Sequence, residues 1–294
     1  MNRRYIRTSV CNQPCLFSSE NIDSEIIFLI IPGNPSIIEF YKEFSDQLIS
    51  LFNYPSIIAS MHQDNETKLT VQQAIDLKIT LLNHFINLYP NSKFIVFCHS
   101  IGNYVTLHAL RTIDQNKIIG FYGLFPALAY LQEAFCTMYK IVTSSPLIIT
   151  ISSFMVNIFK ILPHSLSVNV LKIVGDVPER YADIIINHLD YQLLSQMLFL
   201  CKDEGKTIRG YPDDFIHYLN SLGSKLHLIY GQNDVYGNRD VAEDMKFRCK
   251  DASIEIIDCV HAFVLGSVQT VIDVVEPMIR KQLASLQNQF VVEE

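Results

Sequence analysis

The sequence lacks a run of basic residues, a pair of cysteines at metal-ligand spacing and an apolar stretch long enough to cross a membrane. Its 294 residues carry 23 Lys and Arg against 30 Asp and Glu, a formal net charge of −7. Because phosphate contacts require a basic surface, this charge argues against a nucleic-acid-binding protein. The seven cysteines include no Cys-x-x-Cys pair, which argues against a zinc site or a disulfide framework and favours a reducing compartment.

The composition is that of a folded chain. Hydrophobic residues make up 49% and charged residues 18%, which excludes a disordered protein. The length permits one large domain or two average ones, and a chain of this size buries about three-quarters of its unfolded surface. No apolar segment of the signal-peptide kind follows the N-terminal residues, so we expect no secretory signal.

Short apolar runs alternate with amphipathic segments along most of the chain. Runs rich in β-branched residues and ended by turn residues predict strands that are buried on both faces of a parallel sheet. The predicted strands cover 26–31, 56–59, 94–98, 118–124, 226–230 and 253–257, and the predicted helices cover 36–52, 70–89, 101–112 and 268–286. This alternation predicts an α/β fold with a mostly parallel, doubly wound sheet.

The segment 127–222 breaks the alternation, because its pattern is helical without clear strands. We expect residues 1–126 and 223–294 to form the core, and 127–222 to form a helical cap over one end of the sheet. Within the cap, Lys160 is the only charged residue of the apolar segment 147–162. A helix of this length spans about 24 Å, less than the roughly 30 Å hydrocarbon core, so a transmembrane span is disfavoured. A buried cap helix and a segment inserted in one lipid monolayer both remain open.

The predicted strand 94–98 leads into Ser100 and then a predicted helix. A sharp strand-to-helix turn strains the backbone at its central residue and requires small residues two positions away on each side. Gly102 meets this requirement, whereas Cys98 departs from glycine but is still small. The serine would lie at a helix N-terminus, where backbone N–H groups point at developing negative charge. The pattern predicts Ser100 as a nucleophile, and an N-cap serine in an ordinary turn is the structural alternative.

A serine hydroxyl needs a general base that is oriented by a third group. In this strand–helix arrangement the chain order is Ser, then Asp or Glu, then His. His261 follows the last predicted strand and is the predicted base. Asp234 follows the predicted strand 226–230 and is the predicted acid, with Asp240 and Asp258 as rivals. His99 is adjacent to the serine and is expected to point away from it.

Two backbone donors are needed to hold the oxyanion. One is the N–H of Ile101, immediately after Ser100. The other is expected from the loop 32–35, which follows the first predicted strand. Because its two prolines have no N–H, Gly33 and Asn34 remain, and we choose Asn34 since Gly33 better serves the turn.

Further groups of residues join these in one order over nearly the whole chain. They are Ile31–Pro35 with Phe40, Tyr41 and Phe44; His99–Tyr104; Leu124–Pro126; Tyr230 and Gly231 with Asp234; and His261–Phe263. On these residues the chain resembles the lipid-droplet-associated hydrolase family of serine hydrolases, although Cys98 stands where that family usually has glycine. The resemblance implies an α/β-hydrolase fold and an enzyme on the cytosolic face of lipid droplets and endoplasmic reticulum. It also implies a lipid ester as substrate, with sterol esters favoured, and droplet targeting by the segment 147–162.

The predicted chemistry is acyl transfer to water. Ser100 attacks the ester carbonyl, His261 takes the serine proton, Asp234 orients His261, and the N–H groups of Asn34 and Ile101 hold the oxyanion. No metal, cofactor or nucleic acid is expected. One alternative is a lipid-droplet surface protein with weak or vestigial hydrolase activity that acts in lipid storage. Another is a soluble thioesterase or small-ester esterase. A haloalkane dehalogenase is disfavoured, because that chemistry needs a carboxylate at position 100.

Overall fold

One mixed sheet organises the chain in the computed structural model, which describes residues 4–20, 22–64, 67–135, 137–175 and 177–292. The strands described there are β1 (Ile6–Val10), β2 (Gln13–Phe17), β3 (Ile26–Ile31), β4 (Ser56–Ala59), β5 (Lys93–His99), β6 (Ile118–Leu124), β7 (Leu226–Gly231) and β8 (Ser253–Ile257). Their order across the sheet is β1-β2-β4-β3-β5-β6-β7-β8. The strands from β3 to β8 run parallel, and β2 joins β4 antiparallel. The predicted α/β class and the mostly parallel sheet are confirmed.

The central strands are buried on both faces. Every residue of β3, β4, β6 and β7 is buried, which explains why these strands are continuous apolar runs without polar alternation. All six predicted strands are present, with ends that differ by at most one residue. The hairpin of β1 and β2 is missing from the sequence-based prediction. Three consecutive residues of β1 are exposed, so its sequence carries little apolar signal.

The helices described in the structure lie on both sides of the sheet and beyond its edge. They are α1 (Lys42–Phe52), α2 (Val71–Leu88), α3 (Ile101–Leu110), α4 (Leu131–Ala134), α5 (Thr137–Val142), α6 (Pro146–Lys160), α7 (His164–Gly175), α8 (Glu179–His188), α9 (Tyr191–Thr207), α10 (Asp213–Leu222), α11 (Arg239–Arg248) and α12 (Val268–Val292). Short 3₁₀ turns cover Ile38–Tyr41, Gln115–Lys117, Gly223–Lys225 and Phe263–Leu265. The four predicted helices of the core correspond to α1, α2, α3 and α12.

Successive side chains of β3 point to opposite faces of the sheet and enter two separate clusters. Ile27, Leu29 and Ile31 pack with α2, α3, α10 and α11 on one face. Phe28 and Ile30 pack with α1 and α12 on the other face. The sheet is therefore covered on both sides, as the predicted doubly wound arrangement requires.

The chain between β6 and β7 forms only helices in its described residues, α4 to α10. Helix α8 contacts the turn after β3, where His188 lies 3.3 Å from Glu39. Helix α9 contacts the loop after β3, where the Asn34 side chain donates to the carbonyl of Met197 at 3.0 Å. Helix α10 differs, because its buried Phe215 belongs to the cluster beneath the sheet. Helices α8 and α9 therefore bring polar groups to the carboxyl end of β3.

Helix α6 contains most of the apolar segment 147–162 and lies at the surface. Its buried side chains are Ile149, Ser153 and Val156, whereas Phe154 is 59% and Met155 55% exposed. It is therefore a surface helix and not a buried one. No helix in the described part of the chain is both long enough and apolar enough to cross a membrane.

The aromatic centre of the sheet provides a test of the fold. Phe97 is fully buried, and its ring centroid lies 5.4 Å from that of Phe44 and 5.1 Å from that of Tyr122. We expect Phe97→Ala to lower the free energy of unfolding by about 3–5 kcal/mol, measured by urea denaturation. The control Phe247→Ala removes a ring that is 78% exposed and should change it by less than about 0.5 kcal/mol. Equal losses in the two variants would contradict the described packing.

Candidate active site

Ser100 lies in the turn between β5 and α3 in a strained conformation. Its φ is 53° and its ψ is −128°, a region that residues other than glycine rarely occupy. The neighbouring backbone holds it there: the Ser100 N–H donates to the Leu124 carbonyl at 3.1 Å, and the Ser100 carbonyl accepts from the backbone N–H groups of Asn103 and Ala127 at 3.1 and 3.2 Å. Such strain persists where the surrounding structure over-determines it, and is typical of functional sites.

Two glycines make room for this turn. A Cβ on Gly102 would lie 2.4 Å from the Pro32 carbonyl oxygen, and one on Gly33 would lie 2.8 Å from the Ser100 Cβ. Gly33 is therefore required by close approach to the serine. Cys98, on the strand side, is 1% exposed, and burial raises the pKa of its thiol to about 12. The thiol stays protonated at neutral pH and is not a competing nucleophile.

The structure brings the three predicted side chains into one hydrogen-bonded chain. His261 Nε2 lies 2.9 Å from Ser100 Oγ, and His261 Nδ1 lies 2.7 Å from Asp234 Oδ2. Because a carboxylate oxygen only accepts, Nδ1 carries the proton and Nε2 is free to accept from the serine hydroxyl. The Asp234 side chain is fully buried, while 21% of the His261 side chain is exposed. The rivals Asp240 and Asp258 are both exposed.

A hydrogen bond within its own loop orients the Asp234 carboxyl group. Asp234 Oδ1 accepts from the N–H of Tyr236 at 2.9 Å. Gly231, at the end of β7, has no room for a side chain, because a Cβ there would lie 2.8 Å from the carbonyl oxygen of Cys259. The acid loop and the base loop therefore pack directly against each other at the ends of β7 and β8.

The two predicted oxyanion donors lie on either side of the serine. Ile101 opens α3 immediately after Ser100. In the other loop, the N–H of Gly33 already donates to the Tyr41 hydroxyl at 3.1 Å, which leaves Asn34. Among the described residues, no protein group accepts a hydrogen bond from the backbone N–H of Asn34 or Ile101. Both remain available to a ligand oxygen.

A buried carboxyl group on α9 contacts the same loop. Glu204 is 4% exposed, and its Oε1 accepts from the Asn34 side-chain amide at 3.2 Å. Burial raises the pKa of Glu204 to about 7, against the opposing effect of hydrogen bonds from Asn34 and Cys201. The helical region thus contributes a titratable group next to the predicted oxyanion loop.

Three further residues at the site, Tyr41, His99 and Glu204, have no functional role in the sequence-based prediction. His99 does not bond to the serine hydroxyl, as expected, but its ring centroid lies 5.0 Å from that of His261. The Phe-Tyr pair after the Gly-Asn-Pro turn was a visible signal for Tyr41, although its pattern does not tell a packing role from a hydrogen-bonding one. For Glu204 no local signal exists, because its burial depends on contacts 170 positions away.

The arrangement supplies the groups that acyl transfer requires. It has a hydroxyl at a helix N-terminus, an imidazole nitrogen within hydrogen-bond distance of that hydroxyl, a buried carboxyl group behind the imidazole and two backbone N–H groups nearby. Within the described residues, no group of three or more His, Cys, Asp or Glu side chains could hold a metal ion.

Comparison with known proteins finds the same architecture and one family. A family profile described as lipid-droplet associated hydrolase matches residues 24–264. A lipid droplet-associated hydrolase from Dictyostelium discoideum is 26% identical over 273 residues, covering 87% of this chain and 88% of that protein. A thermophilic esterase from Thermogutta terrifontis superposes with a TM-score of 0.63 at 12% identity, over 95% of this chain and 99% of that one. A carboxylesterase from Nitrososphaera gargenis superposes with a TM-score of 0.64 at 13% identity, over 96% and 100%. The two structures show the fold alone, and the predicted α/β-hydrolase fold is confirmed.

Glu204 generates a prediction about stability. Its folded-state pKa lies above the ordinary 4.5, so its contribution to folding is fully present below about pH 4.5 and is lost as the pH rises through about 7. We expect the free energy of unfolding of Glu204→Gln, taken relative to that of the wild type, to rise by up to about 3 kcal/mol between pH 5 and pH 8. The control Glu133→Gln makes the same substitution at an exposed position and should change the free energy of unfolding by less than about 0.5 kcal/mol. A Glu204→Gln difference that is equal at both pH values would contradict the raised pKa.

Proposed function

The chain belongs to the lipid-droplet associated hydrolase family, and we propose that it is a serine hydrolase that cleaves lipid carboxylic esters at the surface of lipid droplets. The observation that carries the proposal is the hydrogen-bonded chain from Ser100 through His261 to Asp234. It starts at a strained turn with two unused backbone donors beside it. An intact chain of this kind argues against a vestigial site.

The proposed reaction has two steps. As Ser100 Oγ attacks the ester carbonyl carbon, its proton moves to His261 Nε2, and the carbonyl oxygen becomes an anion that accepts from the N–H groups of Asn34 and Ile101. Asp234 stabilises the imidazolium. Collapse of the intermediate breaks the bond to the alcohol oxygen, which takes the proton from His261. His261 then removes a proton from water, which attacks the acyl-serine, and the fatty acid leaves as Ser100 regains its proton.

The surface of α6 supports a lipid interface as the place of action. Its exposed apolar side chains are Leu147, Ile151, Phe154, Met155 and Ile158. Their spacing of four, three, one and three residues puts them on one side of the helix. An apolar face of this size that is left open to water is typical of a site for a membrane or partner. We propose that it inserts into the monolayer of a lipid droplet or into the cytosolic leaflet of the endoplasmic reticulum.

The family resemblance and the apolar face together support a lipid ester as the proposed substrate class. A protein held on a droplet meets neutral lipid esters, and sterol esters are the class that the resemblance favours. A small-ester esterase or a thioesterase is the competing outcome. The rates on a sterol ester emulsion, on a series of soluble esters and on an acyl thioester distinguish the three.

Catalytic substitutions test the hydrolase proposal. We expect Ser100→Ala to abolish labelling by a fluorophosphonate probe and all ester hydrolysis, because it removes the nucleophile. Asp234→Asn should lower kcat by about 10³–10⁴-fold, because the imidazole loses the group that sets its tautomer. The control Asp240→Asn changes an exposed carboxylate and should keep wild-type rates. Labelling of Ser100→Ala at the wild-type rate would refute the serine assignment.

The droplet proposal has its own test on α6. Phe154→Glu places a charge on the apolar face, and we expect it to weaken binding to phospholipid-coated triolein droplets at least about tenfold in a flotation assay, since burying a phenylalanine contributes about 1.5–3 kcal/mol. Its hydrolysis of a short soluble ester should be unchanged. The control Phe247→Glu, on an exposed residue of α11, should float like the wild type. Wild-type flotation of Phe154→Glu would contradict the proposed face.

A further inference from the structure

A second polar chain lies beneath the reacting residues, formed by Tyr41 and His99. The N–H of Gly33 donates to the Tyr41 hydroxyl oxygen at 3.1 Å. That oxygen lies 2.6 Å from His99 Nδ1, and His99 Nε2 lies 2.9 Å from the carbonyl oxygen of His261. Tyr41 is 3% and His99 7% exposed. The chain runs from the oxyanion loop, past the serine, to the base loop.

The direction of each hydrogen bond follows from the chemistry of its ends. The carbonyl oxygen of His261 only accepts, so His99 Nε2 carries a proton. Burial, and to a lesser extent the neighbouring His261, lower the pKa of His99 well below its usual range, so the ring is neutral and Nδ1 accepts. The Tyr41 hydroxyl therefore donates to Nδ1 and accepts from Gly33. Burial also raises the pKa of Tyr41, which keeps its proton in place.

We propose that Tyr41 and His99 are positioning residues for the hydrolysis, a role that rests on the proposed function above. The bond to Gly33 holds the peptide next to Asn34, whose N–H is the proposed oxyanion donor. The bond to the His261 carbonyl holds the backbone from which the general base projects. Because His99 is the covalent neighbour of Ser100, the chain places donor, base and nucleophile on one common support.

The surroundings of this chain favour a role in alignment over one in packing. The Phe263 ring centroid lies 5.2 Å from that of His99 and 6.3 Å from that of Tyr41, and the Phe125 centroid lies 6.2 Å from that of His99. Polar groups buried among aromatic rings are costly unless they are paired, and apolar side chains would fill the same space without that cost. In such a dry setting a fully paired chain is stiff, because its hydrogen bonds are strengthened.

The tautomer of the His99 ring tests the inferred directions of these hydrogen bonds without any enzyme assay. In the protein labelled with ¹⁵N-histidine, we expect the His99 ring to show a protonated Nε2 and an unprotonated Nδ1, without titration between pH 5 and pH 9. The spectrum of His99→Gln, which lacks this ring, assigns the signal. A proton on Nδ1, or a ring that titrates in this range, would overturn the inferred direction and with it the proposal.

Kinetics test the positioning role. For a short soluble ester, we expect Tyr41→Phe to lower kcat about 10- to 100-fold while KM stays within about twofold. The matched control is Tyr122→Phe, which also removes a buried hydroxyl, one that donates to the Gln282 side chain at 2.7 Å away from the site. It should be destabilised to a similar extent and keep its kcat. If Tyr41 had a purely structural role, Tyr41→Phe and Tyr122→Phe would instead have similar kcat values.

Substitutions of His99 separate the shape of the side chain from its hydrogen bonds. The amide of His99→Gln can still donate to the His261 carbonyl, so it should retain more kcat than His99→Leu, which loses both bonds. If the wild type is active and Tyr41→Phe and His99→Leu match it in kcat, the positioning role is wrong and the proposed function stands. If the wild type hydrolyses no ester and Ser100 resists the fluorophosphonate, the proposed function fails, and the positioning role fails with it.

Discussion

The strained turn at Ser100 is the constraint on which the rest of the site depends. A positive φ at a serine is held there by the ends of neighbouring strands and by the start of α3. The turn also requires glycine at positions 33 and 102. A Cβ at position 33 would collide with the Ser100 side chain, and one at position 102 would collide with the backbone of Ile31 and Pro32. The parallel sheet makes this possible, because the ends of β3, β5, β7 and β8 meet along one edge. The proposed oxyanion donor, nucleophile, acid and base each come from a different one of those strand ends.

Two hydrogen-bonded chains meet around that turn. The first joins Ser100, His261 and Asp234 and can move a proton. The second runs from the Gly33 N–H through Tyr41 and His99 to the His261 carbonyl, and each of these hydrogen-bonding groups is paired. In the positioning role proposed above, it holds the two loops in place without transferring a proton. Glu204 adds a third polar contact, from the helical region to the oxyanion loop. Burying these groups costs free energy unless they are satisfied, and the hydrogen bonds named here offset that cost.

In the proposed function, the strand ends carry the chemistry, and the surface of the helices between β6 and β7 binds the lipid interface. The strand ends provide fixed geometry, whereas α6 leaves an apolar face exposed to solvent. Structural matches at 12–13% identity establish the shared fold. Family membership and the arrangement of named side chains carry the functional argument, since one fold hosts many chemistries.

The sequence alone determined the six parallel strands, and it predicted the elbow at Ser100 with His261 as base and Asp234 as acid, because these depend on local apolar runs and on the chain order of a strand–helix repeat. It left the hairpin of β1 and β2 unseen, since β1 is an edge strand with three exposed residues and β2 begins with Gln13 and Pro14, so neither has a strong apolar pattern. The roles of Tyr41, His99 and Glu204 were decided only by tertiary structure. A polar side chain becomes a partner when folding buries it beside a group far away in the chain, and no local pattern encodes that meeting. The exposure of α6 was decided in the same way, because an apolar helix looks alike in sequence whether folding covers it or leaves it open.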